Sequence, residues 1–245
     1  MQPGIGEEFI EKTKYQYLGP SDQQMRVPQP PLVSPFGTVC EVTQLPDPNR
    51  LDSELKAIID KRASLRSFQK TPLSLDELSY LLWCTQGVKE ITRRPVTLRT
   101  VPSAGARHAF ETYILVNRVN GLTPGLYRFL VLEHQIAPYI LNNVISDQIQ
   151  TACMQTMVTS SAAVFIWVAV VHRMTWRYHQ RGFRYLFLDA GHVCQNLYLS
   201  AESISCGACA IGAYDDDMIN GLLHLDGKNE FVIYMAAVGK RAGKS

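Results

Sequence analysis

Leu51, Leu55, Ile58 and Ile59 fall at helical spacing between Leu51 and Lys61, which predicts a helix there. Ser74-Leu75-Asp76-Glu77 has the S-x-x-E form of a capping box ahead of the apolar run Leu78 to Trp83, so a second helix starts at that serine. Glu111 to Val119 and Gly125 to Leu132 are β-branched and aromatic runs divided by the turn dipeptides Asn120-Gly121 and Pro124-Gly125, and predict neighbouring strands. Further on, the pattern predicts a helix over Ser146 to Met157 and a strand buried on both faces over Val164 to Val171. A long helix over Tyr185 to Ile204 follows, then a strand at Ala208 to Gly212, a helix at Asp215 to Leu223 and a last strand at Glu230 to Val238. Segregated helices with a mostly antiparallel sheet make the fold class α+β.

Gly19 to Arg50 shows neither period and contains Pro28-Gln29-Pro30-Pro31, so residues 1–50 are expected to form an extended arm and residues 51–245 a single domain. With 46% hydrophobic and 19% charged residues in a chain of 245, the composition excludes disordered and disulfide-scaffold classes. The formal charge is only +2 and no block of five or more like charges occurs, which argues against a nucleic-acid partner. Glu7 and Glu8 stand where a signal peptide would be basic, and the longest apolar run, Ala162 to Val171, is half the roughly 20 residues a membrane helix needs. A cytoplasmic protein with no membrane association is expected, its cysteines, such as Cys40, Cys84, Cys153 and Cys194, being reduced thiols.

Arg62-Ala63-Ser64-Leu65-Arg66 sets two guanidinium groups around a hydroxyl directly after a helix, a pattern suited to phosphate oxygens, though two solvated arginines would give the same spacing. The small residues of Val101-Pro102-Ser103-Ala104-Gly105-Ala106-Arg107-His108 let backbone amides approach a ligand, yet lack the spacing of a nucleotide-binding glycine loop. Cys206-Gly207-Ala208-Cys209 has dithiol spacing, but it follows a long helix and enters a strand, where redox dithiols open a helix. The six histidines show no metal-ligand pairing, and no metal is expected.

These segments, with Asp189-Ala190-Gly191-His192 on the long helix and Ala208-Cys209-Ala210-Ile211-Gly212-Ala213-Tyr214-Asp215 after it, closely resemble the nitroreductase superfamily of FMN enzymes, and within it the SagB-type azoline dehydrogenase branch. The resemblance spans roughly Leu51 to Gly239. It implies a nitroreductase-like fold, a homodimer with FMN at each of two interface sites, and ping-pong hydride transfer through flavin N5. It further implies that Arg62, Ser64 and Arg66 hold the ribityl phosphate, that Pro102, Ser103 and Ala104 touch the flavin from the other subunit, and that Ala210, Ile211, Gly212 and Ala213 run beside the ring. Lys240 or Arg241 stands where related enzymes supply another phosphate contact. Ala106 replaces an asparagine common in the superfamily, with Arg107 the candidate substitute.

Arg173 to Tyr185 resembles the stretch in which azoline dehydrogenases carry an adjacent lysine and tyrosine for proton removal. Here Arg177 takes the lysine place, and a guanidinium is a poor base, leaving Tyr178 as the candidate proton-transfer group. Equally open is that Trp176, Tyr178, Phe183 and Tyr185 form core or a substrate wall. Two functions are implied: a SagB-type dehydrogenase acting on a modified peptide, or a nitroreductase-like reductase taking electrons from NAD(P)H to a small molecule. A flavin-binding protein without catalysis is the alternative.

Overall fold

A computed structural model describes residues 4–17, 19–20, 24–26, 54–93, 96–142 and 144–241. The elements run α1 (Ile5–Lys12), α2 (Glu54–Lys61), α3 (Leu75–Gln86), β1 (Val88–Ile91), β2 (Thr97–Arg99), β3 (Phe110–Val116), β4 (Gly125–Leu130) and β5 (Gln135–Ile140). They continue as α4 (Ile145–Cys153), α5 (Met157–Ser160), β6 (Ala163–Val170), α6 (Val171–Tyr178), α7 (Gly182–Ser203), β7 (Cys206–Ile211), α8 (Asp216–Leu222) and β8 (Glu230–Lys240). Six strands form one sheet in the order β5-β4-β3-β6-β8-β7, every neighbouring pair antiparallel, while β1 and β2 make a separate ribbon.

β6 lies inside this sheet because it can be buried on both faces. Phe165, Trp167 and Ala169 point to one side, into a core that includes α3 and α7; Val164, Ile166 and Val168 point to the other, among residues of α4 and α8. The capping box of α3 forms as expected: the Glu77 amide donates to Ser74 Oγ at 3.1 Å and the Ser74 amide donates to Glu77 Oε2 at 2.9 Å. Glu77 also receives the Lys240 ammonium, which ties the start of α3 to the end of β8.

Several boundaries move. The helix expected over Ser146 to Met157 breaks at Met154, whose left-handed φ of 52° ends α4 before α5 begins. Residues 173–185, for which the sequence predicts no secondary structure before Tyr185, are most of α6, a 3₁₀ turn and the beginning of α7, with Phe183 buried and Trp176 exposed. The ribbon and β5 carry no clear alternation in sequence, and their burial is correspondingly partial.

Within the first 50 residues, α1 is helical and lies on its own chain. Gly6 is buried against the Phe183 ring, its amide donates to Gln180 Oε1 at 2.9 Å, and Phe9 meets Phe187 edge to face with centroids 5.7 Å apart. Lys14 closes the contact by pairing with Asp217 at 2.7 Å. The proline-rich stretch 27–50, expected to be extended, lies outside the described residues.

Candidate functional site

After α2 the chain runs extended along the outer side of β7. Ser64 bridges Ala208 in parallel, and the Leu65 amide donates to the Ala208 carbonyl at 2.9 Å. An extended backbone sends alternate side chains the same way, so Arg62, Ser64 and Arg66 share one side while Leu65 turns inward onto Gly207. Tyr198, on α7, joins the parts. The Ala210 amide donates to its hydroxyl at 2.8 Å, Ser64 Oγ lies 3.1 Å from the same oxygen, and the Arg62 guanidinium sits 5.7 Å above its ring. Arg241 closes the corner: it pairs with Glu202 and donates to the carbonyls of Lys61 and Cys206, each at 3.3 Å. Arg62 and Arg66 have no carboxylate partner among the described residues.

Ala210 and Ile211 end β7, and Gly212 and Ala213 carry the chain off the sheet. A side chain at Gly212 would meet only the Tyr234 ring, at 3.8 Å, so the backbone there leaves room for a planar group. Gly212 also lines a cavity of about 180 Å³ walled by Ile10, Thr13, Phe187 and Tyr214.

At the other end of α7, Asp189 organises the loop 102–106. Its carboxylate accepts from Ser103 Oγ at 2.6 Å and from the Ala104 amide at 3.2 Å, and Ser103 Oγ in turn accepts the His108 amide at 2.9 Å. Burial raises the Asp189 carboxyl above the usual carboxylate range, and the Ser103 and Ala104 hydrogen bonds oppose that rise. Gly105 takes the left-handed φ of 58°, and a Cβ there would strike the Tyr178 hydroxyl and crowd Arg177 Nε at 3.1 Å. Arg177 and Tyr178 are thus brought against the loop. Tyr178 packs edge to face on Tyr185 with centroids 4.8 Å apart, its ring 5.6 Å from the Arg177 guanidinium. Beside them Arg107 lies 5.2 Å above the Trp176 ring. Pro102, the first residue of this loop, is exposed.

Asp189, Tyr198 and Glu202 were not singled out by role in the sequence. A signal existed for the first, since a carboxylate inside the apolar run Tyr185 to Ala190 must find a partner when buried. Tyr198 carries no such mark.

The dithiol spacing has no redox geometry. Cys206 and Cys209 are three residues apart on a strand, and their side chains enter opposite cores. Burial also raises the Cys206 thiol to about 11, the reverse of a reactive thiolate. Among the described residues no group of three or more His, Cys, Asp or Glu gathers to hold a metal, and no helix is long and apolar enough to cross a membrane.

Residues 59–240 match the Nitroreductase family. A protein named as a nitroreductase, MJ1384 of Methanocaldococcus jannaschii, is 33% identical over 207 residues, covering 84% of this chain and 99% of its own. The trifolitoxin-processing protein TfxB of Rhizobium leguminosarum bv. trifolii is 26% identical over 133 residues, 52% of this chain and 36% of TfxB. A nitroreductase-like crystal structure from Anabaena variabilis is 28% identical with a TM-score of 0.65, covering 77% of this chain but 38% of that one. Taken with the antiparallel six-stranded sheet, the arginine-serine corner beside β7 and the Asp189-anchored loop, these likenesses establish that the chain belongs to the Nitroreductase family of oxidoreductases.

Proposed function

We propose that the chain is an FMN-dependent oxidoreductase working as a homodimer, with each flavin held between two subunits. The observation that carries this reading is the division of the candidate residues between the two ends of α7. Asp189 anchors the loop beside Tyr178, whereas Tyr198 and Glu202 serve the arginine corner nine and thirteen residues further on, about 14 and 20 Å along the helix. Each chain therefore offers two half-sites, and a second copy would unite the Arg62 end of one with the Tyr178 end of the other.

The residues fit the group. Arg62 and Arg66 have no carboxylate partner among the described residues, Ser64 adds a hydroxyl, and Gly212 leaves open space where a ring would lie. In this reading Arg62, Ser64 and Arg66 hold the phosphate, Arg241 fixes the corner from behind, Ala210 to Ala213 line the ring, and Pro102, Ser103 and Ala104 come from the partner. FMN, when bound, supplies the two-electron hydride chemistry that no side chain offers. Tyr178 Oη, held between Gly105 and the Tyr185 ring, is the group that gives or takes the accompanying proton; Arg177 carries fixed positive charge next to it.

The substrate is a small molecule or a modified peptide. Similarity to MJ1384 along nearly its whole length favours a reductase drawing on NAD(P)H, and similarity to a trifolitoxin-processing protein favours SagB-type oxidation of a peptide azoline. Arg177 in place of lysine weighs toward the first. Arg62→Ala is expected to fold, by circular dichroism, while losing FMN during purification. Tyr178→Phe is expected to keep FMN and slow turnover by about 10²-fold. Full flavin retention in the first variant, or an unchanged rate in the second, removes the role assigned to that residue.

A further inference from the structure

We infer that Arg107 and Arg177 form a recognition site for an oxyanion carried by the substrate, so that the reaction selects planar molecules bearing a carboxylate or phosphate. The inference rests on the placement of substrate at Tyr178 and adds the class of molecule that binds there.

Both arginines border the Gly105 loop, Arg177 by contact and Arg107 as part of it. Arg177 Nε approaches the Cα side of Gly105, against which the Tyr178 hydroxyl also packs, and Arg107 follows Gly105 by two residues. Arg107 lies over the ring of Trp176, the residue immediately before Arg177. Neither arginine has an ion pair among the described residues, and Arg107 Nε is buried without any hydrogen-bond partner. A buried N–H without a partner is costly, which leaves the Arg107 guanidinium short of an acceptor.

The carboxylates of Asp189 and Glu111 are already engaged, the first by Ser103 and Ala104 and the second by Arg128 and Arg173. Residues 171–188 contain four arginines and two histidines but no Asp or Glu. The positive surroundings are felt at His108, which burial, with the charges of Arg99 and Arg107, holds down at about 4. Trp176 keeps 65% of its surface exposed, and its indole offers a planar body something to lie on beside the cations. Arginine forks bind carboxylate or phosphate through paired N–H bonds, and a neutral isostere forfeits them.

Calorimetric titration of the flavin-loaded protein with benzoate, phenyl phosphate and benzamide tests the inference. Benzoate or phenyl phosphate is expected to bind, the tighter of the two showing which oxyanion the site prefers, and to weaken at high salt. Arg107→Gln and Arg177→Gln should each weaken that binding about tenfold, Arg177→Lys should restore part of it, and benzamide should not distinguish the variants. Arg184→Gln, which changes an exposed arginine outside the pair, controls for general charge. Equal binding of benzamide and benzoate, or full benzoate affinity in both glutamine variants, overturns the inference. Flavin absorbance is read on the same samples. A protein that takes up no flavin refutes the proposed cofactor, while benzoate titration of that same protein still reports on the arginine pair.

Discussion

A carboxylate within an apolar helix face is costly unless hydrogen-bonded, and Asp189 resolves that cost by holding Ser103 and Ala104 in place. Asp189→Ala should therefore destabilise the protein by about 1–3 kcal/mol, measured by urea unfolding, and should also weaken flavin uptake by releasing the loop. The next residue in the network sets an acid limit. His108 is only 5% exposed and its pKa is depressed to about 4, so between that value and an ordinary pKa near 6.5 the unfolded chain binds the additional proton. Stability is then fully present above about pH 6.5, declines as pH falls toward 4, and loses no more from this group below it; the total is about 3 kcal/mol. Urea unfolding at pH 7 and pH 5 should show the decline, and His108→Asn, which tolerates the residue's φ of 42°, should flatten it. At this scale residue type marked the arginines and serine at 62–66 as candidates, and the structure brings Arg62 and Ser64 together at Tyr198. Residue type was silent on Tyr198, whose role comes from where α7 runs, not from what a tyrosine is.

Among the elements, those with one strong period were readable: α3 from its capping box, β6 from its unbroken apolar run, α7 from its length. α6 was missed because its outward face is arginine, histidine and tryptophan, so little of its pattern is apolar beyond Val171 and Met174. α1 was missed for a similar reason, its only buried residue being a glycine that admits the Phe183 ring. Strand alternation decides the dithiol question in a way that spacing could not. Residues three apart on a strand are separated by about 10 Å and face opposite ways, beyond the reach of a disulfide. Treatment with a mild oxidant should leave Cys206 and Cys209 both free, as shown by alkylation after denaturation and peptide mapping; a recovered Cys206–Cys209 disulfide would mean that β7 pairs differently.

For the molecule as a whole, α7 separates the arginine corner from the Tyr178 loop, which is the physical reason to expect a shared site. Mixing the two defective chains tests this without a structure of the complex. Randomly assorted Arg62→Ala and Tyr178→Phe chains should regain about a quarter of wild-type activity, since half the dimers are mixed and each mixed dimer has one site with both residues intact. Sites made within one chain would regain nothing. The family was legible in the order of the motifs along the chain, and the geometry explains why: each lies where α7, β7 or the loop between β2 and β3 must meet its neighbour. The separation of the two groups of candidate residues was not legible from residue types, because it depends on the distance along a helix.

Flavin binding underlies every role proposed for these residues, and the visible absorption spectrum of the freshly purified protein, followed by heat release and chromatographic identification of the chromophore, tests it directly. The expected result is flavin absorption and release of about one FMN per chain. A colourless protein that also fails to take up added FMN would contradict flavin binding and leave a Nitroreductase fold without the family's redox group.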